Sequence, residues 1–378
     1  MLCINLDLGY FEMNLTDSRV IVYFSSINWN FSWHRQQEMA TFLAQEGYTI
    51  LFVEPQKKNN WFGERIKKLG DNIYILTPAG LPFERIFTTV NYLNGILTRF
   101  CLTRYLSALR LKPIIWFDRV HGCAQSFFLE NYECVYDLID DLFAFGRYKN
   151  KKMLKNIENN VLRKCKLLLS SSQSLLTRKQ NQSSIGTKGM FVPNGVDFAR
   201  FMYSRSKGEG TTIRVGFIGH ISRRRLNYAL IKEVAAFRSD WDFIFIGPGD
   251  TKDKVALSGD NIKVYDSISG DDIPSVISSF TVGIIPYECK EWSMSYVFPR
   301  KALEYLSAGI PVISTPMKEI VGLSPYIKCA ETASDFAEAI ESSIGRYSKA
   351  EIQSFASAYD WKFLLEKVKK ELAYLYNN

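Results

Sequence analysis

Short apolar runs recur along the chain, separated by longer stretches with helical periodicity. Arg19–Ser25, Tyr48–Val53, Asn72–Leu76, Lys112–Phe117, Cys134–Leu138 and Leu167–Ser170 are each apolar toward both faces. Strands of a parallel sheet covered by helices on both sides must read this way. Between them, Gln36–Gln45, Val90–Leu109 and Asn150–Cys165 read as helices. Strand and helix in alternation, with crossover-length spacing, predict a doubly wound parallel sheet.

The character changes at Pro193, Asn194 and Gly195, a cluster of turn formers. A second alternating series follows, with strands expected at Thr212–Ile218, Phe243–Ile246, Ile262–Tyr265, Val282–Pro286 and Pro311–Ser314. The pattern therefore predicts an α/β fold of two Rossmann-like doubly wound domains, residues 1–195 and 196–355, facing a central cleft. Asp360–Tyr376 is amphipathic. The last segment, 356–378, is expected to form a helix packed back on the body, toward the N-terminal domain. Open parallel sheets bind ligands at the C-terminal ends of their strands, so both domains can offer such an edge.

Composition narrows the class. Apolar residues make up 47% of the chain and charged residues 23%, ordinary for a globular protein and unlike a disordered one. The seven cysteines are scattered, with no Cys-x-x-Cys pair, which argues against a disulfide framework or a zinc site. The first eighteen residues lack a basic n-region, and no apolar run reaches spanning length. These features fit a cytoplasmic protein. The net charge of +8 is uneven: residues 1–200 hold 25 basic against 17 acidic residues, and the remainder holds 22 of each. The basic stretches Arg99–Lys112 and Tyr148–Lys155 sit among apolar residues. Without a zinc-finger or RNA-binding signature, this excess points to an anionic membrane surface rather than to nucleic acid. The expected location is peripheral, on the inner face of the cytoplasmic membrane.

The chemistry concentrates in Phe298–Ser314 (FPRKALEYLSAGIPVIS). Pro299 suits a first helical turn, and Gly309 suits the position just past a helix end. Lys301 and Glu304, three apart, share a face. They are either a surface ion pair or a ligand-binding pair. In the second case, free N–H groups at the helix start receive a diphosphate and Glu304 accepts from two ribose hydroxyls. Asp240-Trp241-Asp242 is the sole Asp-x-Asp triplet. It precedes its strand, at the wrong end of the sheet for a metal site, and no metal is expected to be required.

Pro299, Lys301, Glu304, Tyr305, Gly309, Pro311 and Val312 together resemble the donor-nucleotide motif of GT-B glycosyltransferases, specifically the family 4-like enzymes of bacterial surface polysaccharide synthesis. Phe24–Pro55, Val135–Asp141 (VYDLIDD), Val192–Asp197 (VPNGVD) and Val215–Asn227 (VGFIGHISRRRLN) match that family in order and spacing. The resemblance implies diphosphate contacts from the Gly219 loop through Arg223 or Arg224. It also implies backbone approach at Gly247, and flanking of the base by Pro286 and Tyr287. Where the family usually holds the donor sugar with a second glutamate, this chain has Tyr296, which leaves donor sugar and stereochemical outcome open.

An inverting transfer needs a base for the attacking hydroxyl. Clustered carboxylates raise one another's pKa, which suits Asp137, Asp140 or Asp141 to that role. The resemblance, whose inverting members use an aspartate of the N-terminal domain, implies Asp140 first and Asp137 second, with Asp141 open to a helix-capping role. His34 and His121 are further proton-handling candidates. The implied function is transfer of a hexosyl residue from a nucleoside-diphosphate sugar, a UDP-sugar first, to a glycan or lipid-linked acceptor of O-antigen or capsule assembly. A nucleotide-sugar epimerase of the same fold and a catalytically silent nucleotide-binding subunit are the alternatives. A nicotinamide oxidoreductase is disfavoured, because no Gly-x-Gly-x-x-Gly follows the first strand.

Overall fold

A computed structural model describes residues 19–55, 65–81, 88–107, 109, 112–118, 120, 124–141, 151–183, 187–202, 212–289 and 297–377. His121, Tyr296 and Lys149 lie outside this set. The strands are β1 (Arg19–Phe24), β2 (Tyr48–Val53), β3 (Arg65–Lys68), β4 (Ile73–Thr77), β5 (Ile114–Phe117), β6 (Cys134–Leu138), β7 (Leu167–Ser170) and β8 (Lys188–Phe191), followed by β9 (Arg214–Ile218), β10 (Asp242–Ile246), β11 (Ile262–Tyr265), β12 (Val282–Ile285), β13 (Val312–Ser314) and β14 (Ile327–Cys329). They form an eight-stranded sheet in the order β3-β4-β2-β1-β5-β6-β7-β8 and a six-stranded sheet in the order β11-β10-β9-β12-β13-β14. The two-domain, parallel-sheet expectation is met.

Helices α1 (Arg35–Gln45), α2 (Thr88–Leu106), α3 (Ala124–Asn131), α4 (Lys151–Lys164), α5 (Gln173–Ser183), α6 (Phe198–Met202), α7 (Tyr228–Phe237) and α8 (Thr251–Leu257) connect the strands. They are followed by α9 (Ile273–Ile277), α10 (Arg300–Ser307), α11 (Ala333–Glu341), α12 (Lys349–Ser357) and α13 (Trp361–Asn377). Three strands were not expected: β3, β8 and β14. β3 reads RIKK and pairs antiparallel to β4, a charged edge that carries no buried-strand signature. β8, KGMF, is half-exposed throughout. α2 stops at Leu106, short of the expected Leu109.

Contacts divide the chain into two compact units: Met1–Tyr136 with Lys149–Lys166 and Leu375–Asn378, and Asp137–Tyr148 with Leu167–Tyr374. In the first, Tyr23 stacks between Phe52 and Trp116, with ring centroids 5.4 Å apart on each side. All three are buried aromatics of adjacent parallel strands, which is why these runs read as continuously apolar. The Tyr376 hydroxyl donates to the Val20 carbonyl there.

In the second unit, Trp241, Phe243, Phe217, Phe245 and Tyr305 form the buried centre. The VPNGVD segment is a structural joint. The Asn194 side chain donates to the Phe298 carbonyl at 3.0 Å, and a Cβ on Gly195 would lie 2.6 Å from the Trp361 indole. Val196 N–H donates to Tyr359 O, and Trp361 N–H to Val196 O. Only a residue without a side chain fits beneath that indole. Glu319 is buried and accepts from the Ser172 hydroxyl (2.8 Å) and from the Gln173 and Ser174 N–H groups, capping α5.

Candidate active site

The C-terminal ends of β9, β10 and β12 and the start of α10 converge in the second unit. β9 ends at Gly219, whose φ is +154°. A Cβ there would meet the Lys301 Cε and the Phe217 ring, each at 3.1 Å. β10 ends at Gly247, φ +151°, where a Cβ would fall 2.0 Å from the Gly219 carbonyl oxygen. The two turns are therefore stacked backbone to backbone, and a side chain at either would separate them.

Lys301 bridges this floor to β12. Its ammonium donates to the Tyr287 hydroxyl and lies 5.0 Å from that ring's centre and 5.4 Å from the centre of Phe217. Pro286 is the residue at the end of β12. Its carbonyl accepts from Asn227 N–H, the N-cap of α7, whose side chain in turn accepts from Leu230 N–H at 3.0 Å.

α10 starts after Pro299, which has an extended backbone and no side-chain capping bond. Pro299 is thus the N-cap rather than the first helical residue. Tyr305, wholly buried, accepts from Ile218 N–H at 2.9 Å and pins α10 to β9. Burial drives its hydroxyl pKa far upward, so it stays neutral.

Glu304 pairs with Arg300, Nε to Oε1 at 2.8 Å, not with Lys301 as the shared-face reading allowed. The two cations separate because Lys301 is turned toward Gly219 and Tyr287. An i,i+4 pair of this kind is worth about 0.3–0.5 kcal/mol. A pair of ribose hydroxyls can therefore compete for the carboxylate.

The three arginines occupy a turn, not a helix start: α7 begins only at Tyr228. Arg223 is exposed and lies 3.8 Å from Asp253. Arg224 is exposed, with no ion pair among the described residues. Arg225, which sequence reasoning passed over, is the one whose charge reaches Asp140. Its carbonyl accepts from Glu288 N–H at 2.8 Å, and Leu226 bridges to Tyr287. Three consecutive arginines look alike in a sequence, and only the turn decides which way each points.

The carboxylates after β6 separate by environment. Asp137 is wholly buried within β6. Asp141 is buried and paired with Arg178, and the residues that follow it, where a cap would act, lie outside the described set. Asp140 meets solvent while protein crowds it. That desolvation raises its carboxyl pKa, and Asp141 adds to the rise while Arg225 offsets part of it. A raised, solvent-reached carboxylate has the character of a general base.

In the first unit, His34 precedes α1 and contacts Ser32, and its N–H donates to Gln37 Oε1 at 3.0 Å. The loop between β1 and α1 is shaped by two carboxylates. Asp118 accepts from Ser26 N–H at 2.7 Å and from Gln36, and Glu54 accepts from Trp29 N–H at 2.8 Å and from Thr77. That loop exposes Phe31 and Trp33, which sequence reasoning did not single out. Asp240 pairs with Arg238 at the start of β10, away from the strand ends just described.

Residues 212–345 match the family model described as Glycosyl transferases group 1. A protein of Bacillus subtilis (strain 168) that carries the name teichuronic acid biosynthesis glycosyltransferase TuaH is 25% identical over 239 residues. That match spans 58% of this chain and 60% of that relative. Sucrose-phosphate synthase from Thermosynechococcus elongatus superposes with a TM-score of 0.72, at 13% identity over 95% of this chain and 100% of its own. Anabaena HepE in complex with UDP and glucose gives a TM-score of 0.66, at 13% identity over 94% of this chain and 99% of its own. The chain therefore has the GT-B fold, and its similarity to the group 1 glycosyl transferases lies in segment 212–345. The resemblance read from Pro299 to Val312 falls within that segment.

Proposed function

We propose that the protein transfers a hexosyl residue from a UDP-sugar to a glycan or lipid-linked acceptor in bacterial surface polysaccharide assembly. In this reading residues 1–195 bind acceptor, residues 196–355 bind donor, and the terminal helix braces the body. The observation that carries it is one line of interactions, electrostatic in its first step and direct contacts after it. Asp140 feels Arg225, the Arg225–Leu226 segment pairs with Tyr287–Glu288, and Tyr287 takes the Lys301 ammonium above Gly219. A base after β6 is thus linked, through the charge of Arg225, to a cation and a glycine floor at the ends of β9, β10 and β12.

Asp140 takes the proton of the acceptor hydroxyl as its oxygen attacks the anomeric carbon, and the bond to the β-phosphate oxygen breaks. Lys301, Arg224 and Arg225 take up the charge that develops on the departing UDP, with no metal called for. Glu304 accepts from the ribose, and Pro286 and Tyr287 flank the base. The Anabaena neighbour's UDP and glucose complex and the teichuronic acid name of the Bacillus relative support donor and pathway class. Phe31 and Trp33 supply flat apolar faces on which an acceptor sugar can stack.

No helix among the described residues is long and apolar enough to cross a membrane. Contact with a lipid-linked acceptor is proposed to occur at an anionic cytoplasmic membrane surface, through the basic first half. The test is product mass spectrometry with a panel of UDP-sugars, lipid-extract acceptor and chelator. A mass gain of one hexose that survives chelation is the expected result. UDP-sugar interconversion without any acceptor adduct contradicts the proposal.

A further inference from the structure

The first half of α2 is built inside out. Its buried face there carries Asn91, Asn94 and Thr98, the last two 3% and 7% exposed, and turns apolar only past Phe100, at Cys101, Leu102 and Leu106. The outward face carries Tyr92 (58%), Leu93, Ile96 (46%), Leu97 and Phe100 (69%). A surface helix of a soluble domain ordinarily has the reverse arrangement. The inner polar groups are satisfied: Asn94 exchanges hydrogen bonds with both the N–H and the carbonyl of Leu81, at 2.7 and 3.0 Å, and Thr98 donates to Asn94 O. The inner face is thus complete with its polar residues inward, and rotating the helix to hide the apolar stripe would break those bonds. The stripe runs over nine residues, about 13 Å of helix. Contiguous exposed apolar surface of this kind marks an interaction site.

Charge selects the occupant. Residues 85–117 contain five basic residues and no acidic one. Arg99 is exposed on α2 and lies 3.6 Å from the centre of the Phe127 ring of α3. α3 packs in turn on α4, whose Lys151, Lys152 and Lys155 are exposed. An apolar stripe on a segment that has cations and no acid fits the boundary between lipid headgroups and acyl chains. A second copy of the chain would bring the same cationic, acid-free segment against itself.

We propose that the Tyr92–Phe100 face of α2 inserts into the interfacial layer of an anionic bilayer. The inference rests on the membrane reading above and sharpens it, from charge alone to an inserted apolar face.

The test is flotation of the full chain with phosphatidylglycerol vesicles and with phosphatidylcholine vesicles. Wild type is compared with Leu93→Ala/Ile96→Ala/Phe100→Ala and with Phe100→Ala alone. Alanine keeps the helix, and these side chains are exposed, so melting temperature should hold. Wild type should float with the anionic vesicles only. The triple variant should lose partitioning by roughly tenfold or more, with Phe100→Ala between them. If wild type floats and the triple variant floats equally, attachment is purely electrostatic and the insertion is wrong while the membrane reading stands. If wild type does not float, both are wrong. Lipid-free wild type that is dimeric, beside a monomeric triple variant, would give the stripe to a second copy and overturn the proposal.

Discussion

The Lys301 ammonium lies against the Tyr287 hydroxyl, directly over Gly219, where a Cβ would meet the lysine stem at 3.1 Å. Two strand ends and one helix thereby hold a single cation in place. Tyr287 is buried, so the lysine gains its hydrogen bond without a competing negative charge. Lys301→Met keeps the stem's volume and removes the charge. Loss of a charge-assisted bond of about 1.5–3 kcal/mol predicts UDP binding weaker by roughly tenfold to a hundredfold. Uridine, which has no phosphate, should bind equally to both proteins. Titration calorimetry with the two ligands checks this, and equal UDP affinities would remove Lys301 from the phosphate site.

Gly247→Ala should damage the site through the backbone. A Cβ at 2.0 Å from the Gly219 carbonyl has no flexible neighbour to push aside. A non-glycine residue at this φ adds strain of about 1–3 kcal/mol. We expect a lower melting temperature together with weaker UDP binding. A variant with unchanged melting and binding would show that the two turns are not in contact.

Asp140→Asn should lower turnover by roughly a hundredfold or more, the usual contribution of a positioned base. Stability should move the other way. Because the folded-state pKa of Asp140 is raised, its charged form is disfavoured by folding at neutral pH. That penalty disappears as pH falls below the unfolded-state value, where both states hold the proton. The asparagine variant should therefore melt higher than wild type at pH 7, with the gap closing toward pH 4 or so. Turnover of wild type should fall on the acid side as Asp140 takes up its proton. Parallel melting curves and a pH–rate profile measure both effects. An Asn variant that melts lower than wild type at neutral pH contradicts the raised pKa.

Trp33→Ala should raise the acceptor KM while leaving donor binding untouched, because Trp33 belongs to the β1–α1 loop and not to the donor strand ends. Initial rates with acceptor varied at saturating donor give the comparison. An unchanged acceptor KM would free that loop of the role.

Much of the architecture was legible because buried parallel strands cannot be polar. β2, YTILFV, is buried at all six positions and was bounded to the residue. The edges were not legible: β3 and β8 carry lysines and arginine and satisfy only one neighbour, so they read as loops. The helix over Arg300–Ser307 was readable from Pro299 before it and Gly309 after it, whose φ is +79°. What the linear pattern could not resolve was side-chain direction. It left Lys301 and Glu304 as a possible pair, yet Lys301 turns to Tyr287 and Glu304 to Arg300. It weighed Arg223 and Arg224, yet Arg225 is the arginine that Asp140 feels.

The central claim is that α10 presents Glu304 to the ribose of a nucleoside diphosphate, and calorimetric titration of UDP into wild type, Glu304→Ala and Glu304→Gln tests it most directly. Loss of charge-assisted bonds to two hydroxyls, about 1.5–3 kcal/mol, predicts roughly tenfold to hundredfold weaker binding for the alanine variant. Glutamine keeps one acceptor oxygen and should lose less. Both residues are good helix formers, so the melting curves should remain close to wild type. Equal UDP affinity in all three proteins would mean that Glu304 serves only its pair with Arg300, and the donor site described here would be in the wrong place.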